Sequence, residues 1–299
     1  MNGEYDTDSV VRDFHERYRV GDGASRDEDG AIATFRGIIC DFYRRFGRHD
    51  LPWRKTADPY HIVVSEIMLQ QTQVGRVIGK YVEFIRRFPG IDALAESTLH
   101  DVLAVWQGLG YNRRGKYLLE FARAVRDLHD GRIPDEPEIL AGLPGIGKAT
   151  ASSIAVFAFN KPVPFIETNV RTVVIHFFFP GSEQVSDGEI RPWVTATMDG
   201  ENPRDWFSAL MDYGTMLKKK YGNPSRKSAH YKTQGRFTGS TRELRGKVLR
   251  HLLSVPAGSV IEMAAHYSAP TERLVAVCDD LAREGLITID GEYIRINRS

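Results

Sequence analysis

The chain has 299 residues, 42% hydrophobic and 26% charged, proportions typical of a globular protein with one to three domains. No apolar run reaches the roughly 18 residues of a membrane span, and the acidic, polar N-terminus lacks a signal peptide, so we expect a cytoplasmic protein without a membrane partner. The two cysteines, Cys40 and Cys278, are too few for a disulfide framework, a zinc site or an iron–sulfur cluster, and we expect both to be buried as small apolar groups.

Charge is unevenly distributed, although the net charge of +1 does not by itself indicate a polyanionic partner. Residues 1–30 contain nine acidic and four basic side chains, and we expect most of this segment to be mobile, with a short helix near Val10–Tyr18. The segment from Lys218 to Arg250 contains eleven basic residues and one acidic residue, Glu243. This basic band is typical of a surface that follows a phosphate backbone, although a solvated linker has the same composition.

Helical periodicity dominates residues 31–221, which are predicted to form one all-α unit with short loops. Asp58 followed by Pro59 predicts the N-cap and first residue of a helix that runs to about Gln70. Further helices are predicted at about 73–88, 97–107, 112–129, 136–141, 148–159, 169–179, 187–198 and 202–221.

The C-terminal part of the chain has a different pattern. Residues 222–240 lack periodicity and are expected to form a basic connector. Helical patterns at 242–254, 260–267 and 271–284 are followed by apolar residues that alternate on both sides of Asp290-Gly291, a strong hairpin signal. Together they predict a winged-helix domain over residues 241–299. Its third helix is rich in acidic side chains, so we expect it to pack or contact a protein partner rather than read DNA bases.

The segment Leu143-Pro-Gly-Ile-Gly-Lys148 joins two predicted helices. Gly145 and Gly147 carry no side chain, so their N–H groups can approach a phosphate closely, next to the positive end of the helix that begins near Lys148. A plain helix–helix turn is the alternative, but the specificity of this motif favours DNA binding.

Two carboxylates are candidates for acid–base chemistry. Glu66 and Gln70 share one stripe of an otherwise apolar helix, so Glu66 is either solvent-exposed or an acid in a cleft with a raised pKa. Periodicity alone favours the solvent-exposed position. Glu167 precedes a helix, where Thr168 is the expected N-cap.

Several motifs occur in a characteristic order: Leu51–Arg54, Asp58–Tyr60, Ser65–Val74, Gly108–Tyr111, Leu143–Lys148 and Ala209–Asp212. Over roughly residues 35–221 they resemble the helix-hairpin-helix (HhH-GPD) DNA glycosylase superfamily, above all the MutY-type A/G-mismatch adenine glycosylases. The resemblance implies a two-lobed all-α core, followed here by the winged helix. It also implies a cleft for a base rotated out of double-stranded DNA, because the glycosidic bond cannot be reached inside the stack. The Ser65–Val74 run thereby reverses the solvent-exposed interpretation of Glu66.

The resemblance assigns a role to each matching residue. Glu66 aligns with the acid that protonates the departing base, and Glu167 with the carboxylate that stabilises positive charge on the sugar. Gln71 aligns with a wedge beside the lesion, Tyr111 with a loop that probes the duplex, and Asn169 with an asparagine near the second carboxylate. The predicted DNA-contacting residues are Gln70, Gln71, Tyr111, Gly145, Gly147, Lys148, Asn169, Arg226 and Lys227.

This chain departs from the family pattern at four places. Glu167 stands where the family has aspartate, and its extra methylene moves the charge by about 1.5 Å. Ala149 stands at the Schiff-base lysine of the lyase members, which implies a monofunctional enzyme. Lys218 stands at the first cluster cysteine, so we expect no iron–sulfur cluster, whereas a structural monovalent cation at the hairpin is implied. The module that reads 8-oxoguanine is replaced by the winged helix.

We therefore expect a monofunctional DNA glycosylase of base excision repair, located in the cytoplasm and at the nucleoid of a prokaryote. Its expected partner is double-stranded DNA with a mismatch or damaged base, and its expected substrate is adenine opposite guanine or 8-oxoguanine. Alternatives are a G·T or G·U mismatch thymine/uracil glycosylase, a non-catalytic mismatch-binding or lesion-binding protein, and a scaffold whose winged helix recruits a protein partner.

Overall fold

The computed structural model describes residues 5–18, 27–222, 227–228 and 239–297, which are predominantly helical. The chain divides into two compact units, one of residues 1–57 and 148–233 and the other of residues 58–147 and 234–299. Each unit combines two separate stretches of sequence, which agrees with the predicted two-lobed all-α class. Among the described residues, none of the helices combines the length and apolar character that crossing a bilayer requires.

The secondary structure consists of helices and one small sheet. The helices are α1 (Thr7–Tyr18), α2 (Glu28–Phe46), α3 (Pro59–Leu69), α4 (Val74–Arg87), α5 (Ile91–Ala95), α6 (Leu99–Trp106), α7 (Arg113–Leu128), α8 (Pro137–Leu140), α9 (Lys148–Phe159), α10 (Thr168–Phe178), α11 (Asp187–Thr197), α12 (Pro203–Tyr221), α13 (Thr241–Ser254), α14 (Val260–Tyr267) and α15 (Thr271–Arg283). The strands are β1 (Gly258–Ser259), β2 (Ile287–Asp290) and β3 (Tyr293–Ile296), and a 3₁₀ turn spans Pro52–Arg54.

The first unit has an aromatic core between α1, α2, α10 and α12. Phe177 lies edge-to-face with Phe35 at 5.0 Å and with Phe14 at 5.2 Å. Helix α1 is therefore longer than predicted and packed in the core, whereas mobility was expected for most of residues 1–30. Cys40 is exposed, contrary to expectation, because α2 turns Phe35 and Ile39 toward this core.

A buried carboxylate fastens the 3₁₀ turn to α12. The two oxygens of Asp212 accept hydrogen bonds from the Arg54 guanidinium at 2.6 and 2.9 Å, and from the Arg48 backbone N–H at 2.7 Å and its Nε at 2.6 Å. Burial alone would raise the pKa of Asp212, but the hydrogen bonds and charges of Arg54 and Arg48 hold that pKa below its ordinary value. The motifs Leu51–Arg54 and Ala209–Asp212 are thus joined in this unit by a buried ion pair.

The second unit contains α3–α8 together with the C-terminal helices and sheet. The antiparallel sheet has the order β1-β3-β2, and the β2–β3 hairpin turns at Asp290-Gly291 as predicted. This element order is that of a winged-helix domain. Strand β1 was not predicted, because two residues are too short for an alternating pattern. The domain packs on the rest of its unit through α13 and α6, where the His100 side chain lies 3.3 Å from the Leu253 carbonyl.

Candidate active site

Helix α3 holds the first candidate acid. Asp58 caps this helix by accepting the Tyr60 N–H at 2.8 Å, and Pro59 is its first residue, as predicted. Most of α3 is buried, because residues on several sides of it are apolar: Tyr60, Ile62, Val63, Val64, Ile67 and Met68. Glu66 is half-buried among them. Glu66 is therefore not fully exposed to solvent, although periodicity alone favoured that position.

The chain turns sharply where α3 ends. Gln70 leaves helical geometry with ψ at 113°, and Gln71 has a positive φ of 52° and is exposed. A non-glycine residue in the left-handed region is strained and persists where its surroundings hold it there. The turn therefore exposes Gln71 to solvent just beyond the end of α3.

The Gly108–Tyr111 loop has a similar character. Gly108, Gly110 and Tyr111 all have positive φ, of 91°, 72° and 47° respectively. The ring of Tyr111 remains 39% exposed despite its size. Glycines permit this backbone path at little steric cost, whereas Tyr111 must be held in it by contacts.

Arg114 supplies these contacts for both segments. Its guanidinium donates to the carbonyl oxygens of Ile67, Met68 and Gln70 at 2.6–3.0 Å. It also donates to the Thr72 hydroxyl at 3.0 Å and to the carbonyls of Leu109 and Gly110 at 3.3 and 3.1 Å. One side chain thus joins the end of α3 to the Tyr111 loop. The sequence does not indicate this role, because Arg114 follows another arginine, Arg113, at a helix start and no neighbouring residue signals burial.

The Arg114 guanidinium is enclosed as well as hydrogen-bonded. It lies 5.6 Å from the ring centroids of both Trp106 and Tyr111. Burial lowers the pKa of Arg114 to about 10, so the side chain stays charged at neutral pH. From the winged-helix domain, Arg242 donates to the Tyr111 hydroxyl at 3.3 Å. The exposed tyrosine is therefore held from two sides within its unit.

The segment Leu143–Lys148 forms a turn before α9, with a positive φ at Gly145 but not at Gly147. Leu143 and Ile146 are buried and anchor the turn, in which the Ile146 N–H donates to the Leu143 carbonyl at 3.2 Å. Gly145 has a φ of 76°, and a Cβ there would lie 2.6 Å from the Tyr117 Cβ, so glycine is needed. Gly147 has open space around it. Helix α9 begins at the exposed Lys148, next to this bare backbone.

In the other unit, Glu167 caps α10. Its Oε1 accepts the N–H groups of Asn169 at 2.5 Å and Val170 at 3.1 Å. The expectation that Thr168 is the cap was wrong, because the longer glutamate side chain folds back onto the helix start from an extended backbone. When Glu167 is ionised, its charge at the positive end of the helix is also electrostatically favourable.

A lysine and an asparagine complete this cluster. Asn169 Nδ2 lies 3.5 Å from Glu167 Oε2, and Lys218 of α12 donates to Asn169 Oδ1 at 2.7 Å. The pKa of Glu167 is raised, because burial outweighs the Lys218 charge and the hydrogen bonds of Asn169 and Val170, which act in the lowering direction. Burial lowers the pKa of Lys218, which the Glu167 charge opposes. The charged forms of the two groups thus support each other.

Of the basic connector, residues 222–240, the structure describes only residues 222, 227–228 and 239–240. Lys227 is exposed and donates to the Pro180 carbonyl at 3.2 Å, while its own carbonyl accepts the Val185 N–H at 2.9 Å. Arg226, also predicted to bind DNA, lies outside the described residues.

An iron–sulfur cluster does not fit the residues present. Such clusters are held by four cysteines, whereas the chain has two, and Cys40 and Cys278 belong to different units. Lys218, which the resemblance places at the first cluster cysteine, donates a hydrogen bond to Asn169 Oδ1. Within the ranges that the structure covers, no group of three or more His, Cys, Asp or Glu side chains could hold a metal ion.

Comparison with known proteins identifies the family. The model described as "HhH-GPD superfamily base excision DNA repair protein" matches residues 64–190. An adenine DNA glycosylase of Mycolicibacterium smegmatis is 33% identical over 267 residues, 82% of this chain and 91% of the relative. One of Buchnera aphidicola (subsp. Baizongia pistaciae) is 36% identical over 195 residues, 64% and 54%. A thymine-DNA glycosylase of Aeropyrum pernix is 37% identical over 144 residues, 48% and 65%.

The chain spans about half the length of several curated relatives that it matches. Among solved structures, a thermostable thymine-DNA glycosylase aligns with a TM-score of 0.57 at 24% identity, covering 69% of this chain and 98% of the other. At that identity the likeness concerns the fold. The long match to the M. smegmatis protein, however, shows that this chain belongs to the HhH-GPD superfamily of base excision DNA repair proteins, in the family of the MutY-type adenine DNA glycosylases.

Proposed function

We propose that this protein is a monofunctional DNA N-glycosylase that excises a mispaired base, namely adenine opposite guanine or 8-oxoguanine. The observation that carries the proposal is the end of α3, where the half-buried Glu66 precedes the exposed, positive-φ Gln71 and Arg114 fixes the turn. This arrangement offers an acid beside a rigid wedge. The names of the adenine glycosylase relatives support the choice of base.

In the proposed reaction the target base leaves the stack and Gln71 fills part of the space beside it. Glu66 donates a proton to the departing base as its bond to the sugar breaks, and the negative Glu167 stabilises the positive charge that develops on the sugar. A water molecule then adds its oxygen to the sugar carbon that carried the base and returns a proton to Glu66. The products are the free base and an abasic site, without strand cleavage, because Ala149 offers no amine for a Schiff base.

Duplex DNA is the proposed partner. The bare backbone at Gly145 and Gly147, together with Lys148, would hold one phosphate segment, and Arg226 and Lys227 would follow the backbone farther along. Neutralising Lys148, Arg226 and Lys227 together should reduce the slope of log binding constant against log salt concentration by up to about three. An unchanged slope would refute these contacts.

A second candidate reaction is removal of thymine or uracil opposite guanine. The identity to the A. pernix thymine-DNA glycosylase supports it, because the match involves 144 residues of this chain. Single-turnover base release from duplexes with A·8-oxoG, A·G, G·T and G·U pairs distinguishes the two. Release of adenine alone supports the first proposal, and release of thymine or uracil alone supports the second. Tight mismatch binding without any release would instead indicate a non-catalytic sensor.

The proposed enzyme works without an iron–sulfur cluster, because Lys218 replaces a cysteine ligand and the chain lacks the others. Purified protein should contain no iron and should keep its base-release rate after treatment with an iron chelator. The cation at the hairpin and the protein partner of the winged-helix domain stay predictions. Titration with K⁺ and pull-down with residues 1–299 would test them respectively.

A further inference from the structure

Two departures from the family pattern, Glu167 and Lys218, lie in one hydrogen-bonded chain. Lys218 Nζ donates to Asn169 Oδ1 at 2.7 Å, and the amide nitrogen of the same asparagine lies 3.5 Å from Glu167 Oε2. Asn169 thus faces the ammonium group with its oxygen and the carboxylate with its nitrogen. This is the orientation in which an amide dipole transmits the influence of a positive charge to a negative one.

The backbone fixes Asn169 in this position. Gly214 of α12 lies so close to α10 that a Cβ there would be 2.7 Å from both the Cβ and the carbonyl oxygen of Asn169. The first N–H groups of α10 are bound by Glu167 Oε1, which prevents the helix start from moving away. The asparagine therefore has little freedom to turn from Lys218.

The charges around the cluster come from two helices. On α12, Lys218 acts on Glu167 and opposes the effect of burial. On α10, Arg171 acts on Lys218, but its own guanidinium is held by both oxygens of Asp187 at 2.8 Å. Lys218 is thus the charge aimed at Glu167 through Asn169, while Arg171 is largely compensated by its partner.

We propose that Lys218 is a positioning residue that, through Asn169, keeps Glu167 ionised and oriented for base release. The inference rests on the proposed function, because it assigns Glu167 the role of stabilising a positive sugar. It adds that the residue at the position of a cluster cysteine has become part of the catalytic apparatus. Glutamate in place of aspartate and lysine in place of cysteine then act as a pair.

The test is the pH dependence of single-turnover adenine release, at enzyme concentrations that saturate DNA binding. Glu167 must be ionised, so the rate falls on the acidic side as its carboxyl takes up a proton. Removing the neighbouring positive charge makes protonation easier. In Lys218→Met the midpoint of the acidic limb should therefore rise by about one pH unit, and the rate below the midpoint should fall about tenfold.

Three companion variants make the test specific. Lys218→Arg keeps the charge and should retain the wild-type midpoint. Lys55→Met removes an exposed lysine of the same unit, which pairs with Asp50, and should leave the whole profile unchanged. Asn169→Leu leaves Lys218 in place but removes the bridging amide, so its midpoint should move in the same direction as that of Lys218→Met. It replaces Lys218→Met if that variant does not fold.

The outcomes distinguish failure of the proposed function from failure of the proposed role of Lys218. No base release by the wild-type protein from any duplex contradicts the proposed function. An active wild type whose profile is superimposable on that of Lys218→Met, or on that of a folded Asn169→Leu, overturns the role of Lys218. A uniform loss of rate without displacement of the midpoint also overturns it, because that result indicates a purely structural lysine.

Discussion

Replacing Arg114 by methionine should loosen the two segments that are expected to probe the duplex. The guanidinium serves the carbonyls of Ile67, Met68, Gln70, Leu109 and Gly110, and methionine can donate to none of them. Some of these carbonyls will find water or another donor, but two or three remain buried without a hydrogen-bond donor. Each of them costs about 1–3 kcal/mol of stability. We expect the local free energy of opening to fall by about 3–5 kcal/mol, a large part of a typical total stability of about 5–15 kcal/mol.

Hydrogen exchange measured by mass spectrometry is suited to this prediction, because it reports on each segment without assuming that the two units unfold together. Peptides covering residues 67–72 and 108–111 should lose protection in Arg114→Met. Displacement of the turn by about 1 Å should also slow single-turnover base release about a hundredfold. Arg126→Met is the control, because Arg126 lies on the same helix but its side chain is 37% exposed and pairs with its neighbour Asp127 at 2.9 Å.

The contrary results are well defined. Equal protection of both segments in the wild type and in Arg114→Met would show that the hydrogen bonds of Arg114 do not hold them. Lost protection with an unchanged rate of base release would show that the two segments need not be rigid for catalysis.

Two further predictions concern the buried ion pair of Asp212 and the glycine hairpin at Gly145 and Gly147. Asp212→Asn should lower the free energy of unfolding by about 3–5 kcal/mol near neutral pH, because it removes one partner of a buried ion pair. Since the pKa of Asp212 is lowered in the folded state, this difference between wild type and variant should shrink as pH falls below 3.8, and a pH-independent difference in urea denaturation would contradict the account. Gly145→Ala should destabilise the fold by at least about 1–2 kcal/mol, because of its positive φ and the clash with Tyr117, whereas Gly147→Ala should preserve thermal stability and weaken DNA binding. Equal losses of stability in both glycine variants would refute this distinction.

Local features were predictable from the sequence because their causes lie within a few residues. Asp58 and Pro59 start α3, and Asp290-Gly291 turns the hairpin. In each case one helix end or one turn contains the whole physical reason.

Features that depend on distant partners were not predictable in the same way. Arg114 is buried because the end of α3 and the Gly108–Tyr111 loop both present carbonyl groups to it, which its neighbours in the sequence do not indicate. Glu167 caps α10 although glutamate is a poor N-cap, and the charge that favours its ionised form comes from Lys218, 51 residues later in the chain. Cys40 was wrongly predicted to be buried, because its helix has apolar residues on more than one side.

The proposal that Glu66 is the acid of a DNA glycosylase is tested by single-turnover base release from a duplex with adenine opposite 8-oxoguanine. The rate is measured for the wild type and for Glu66→Gln. Glutamine keeps the size of the side chain but has no acidic proton to give. For the wild type we expect free adenine and an intact strand with an abasic site. In Glu66→Gln we expect base release to slow by at least about a hundredfold, with DNA binding retained. Adenine release at equal rates by both proteins would contradict the assignment of Glu66 as the acid.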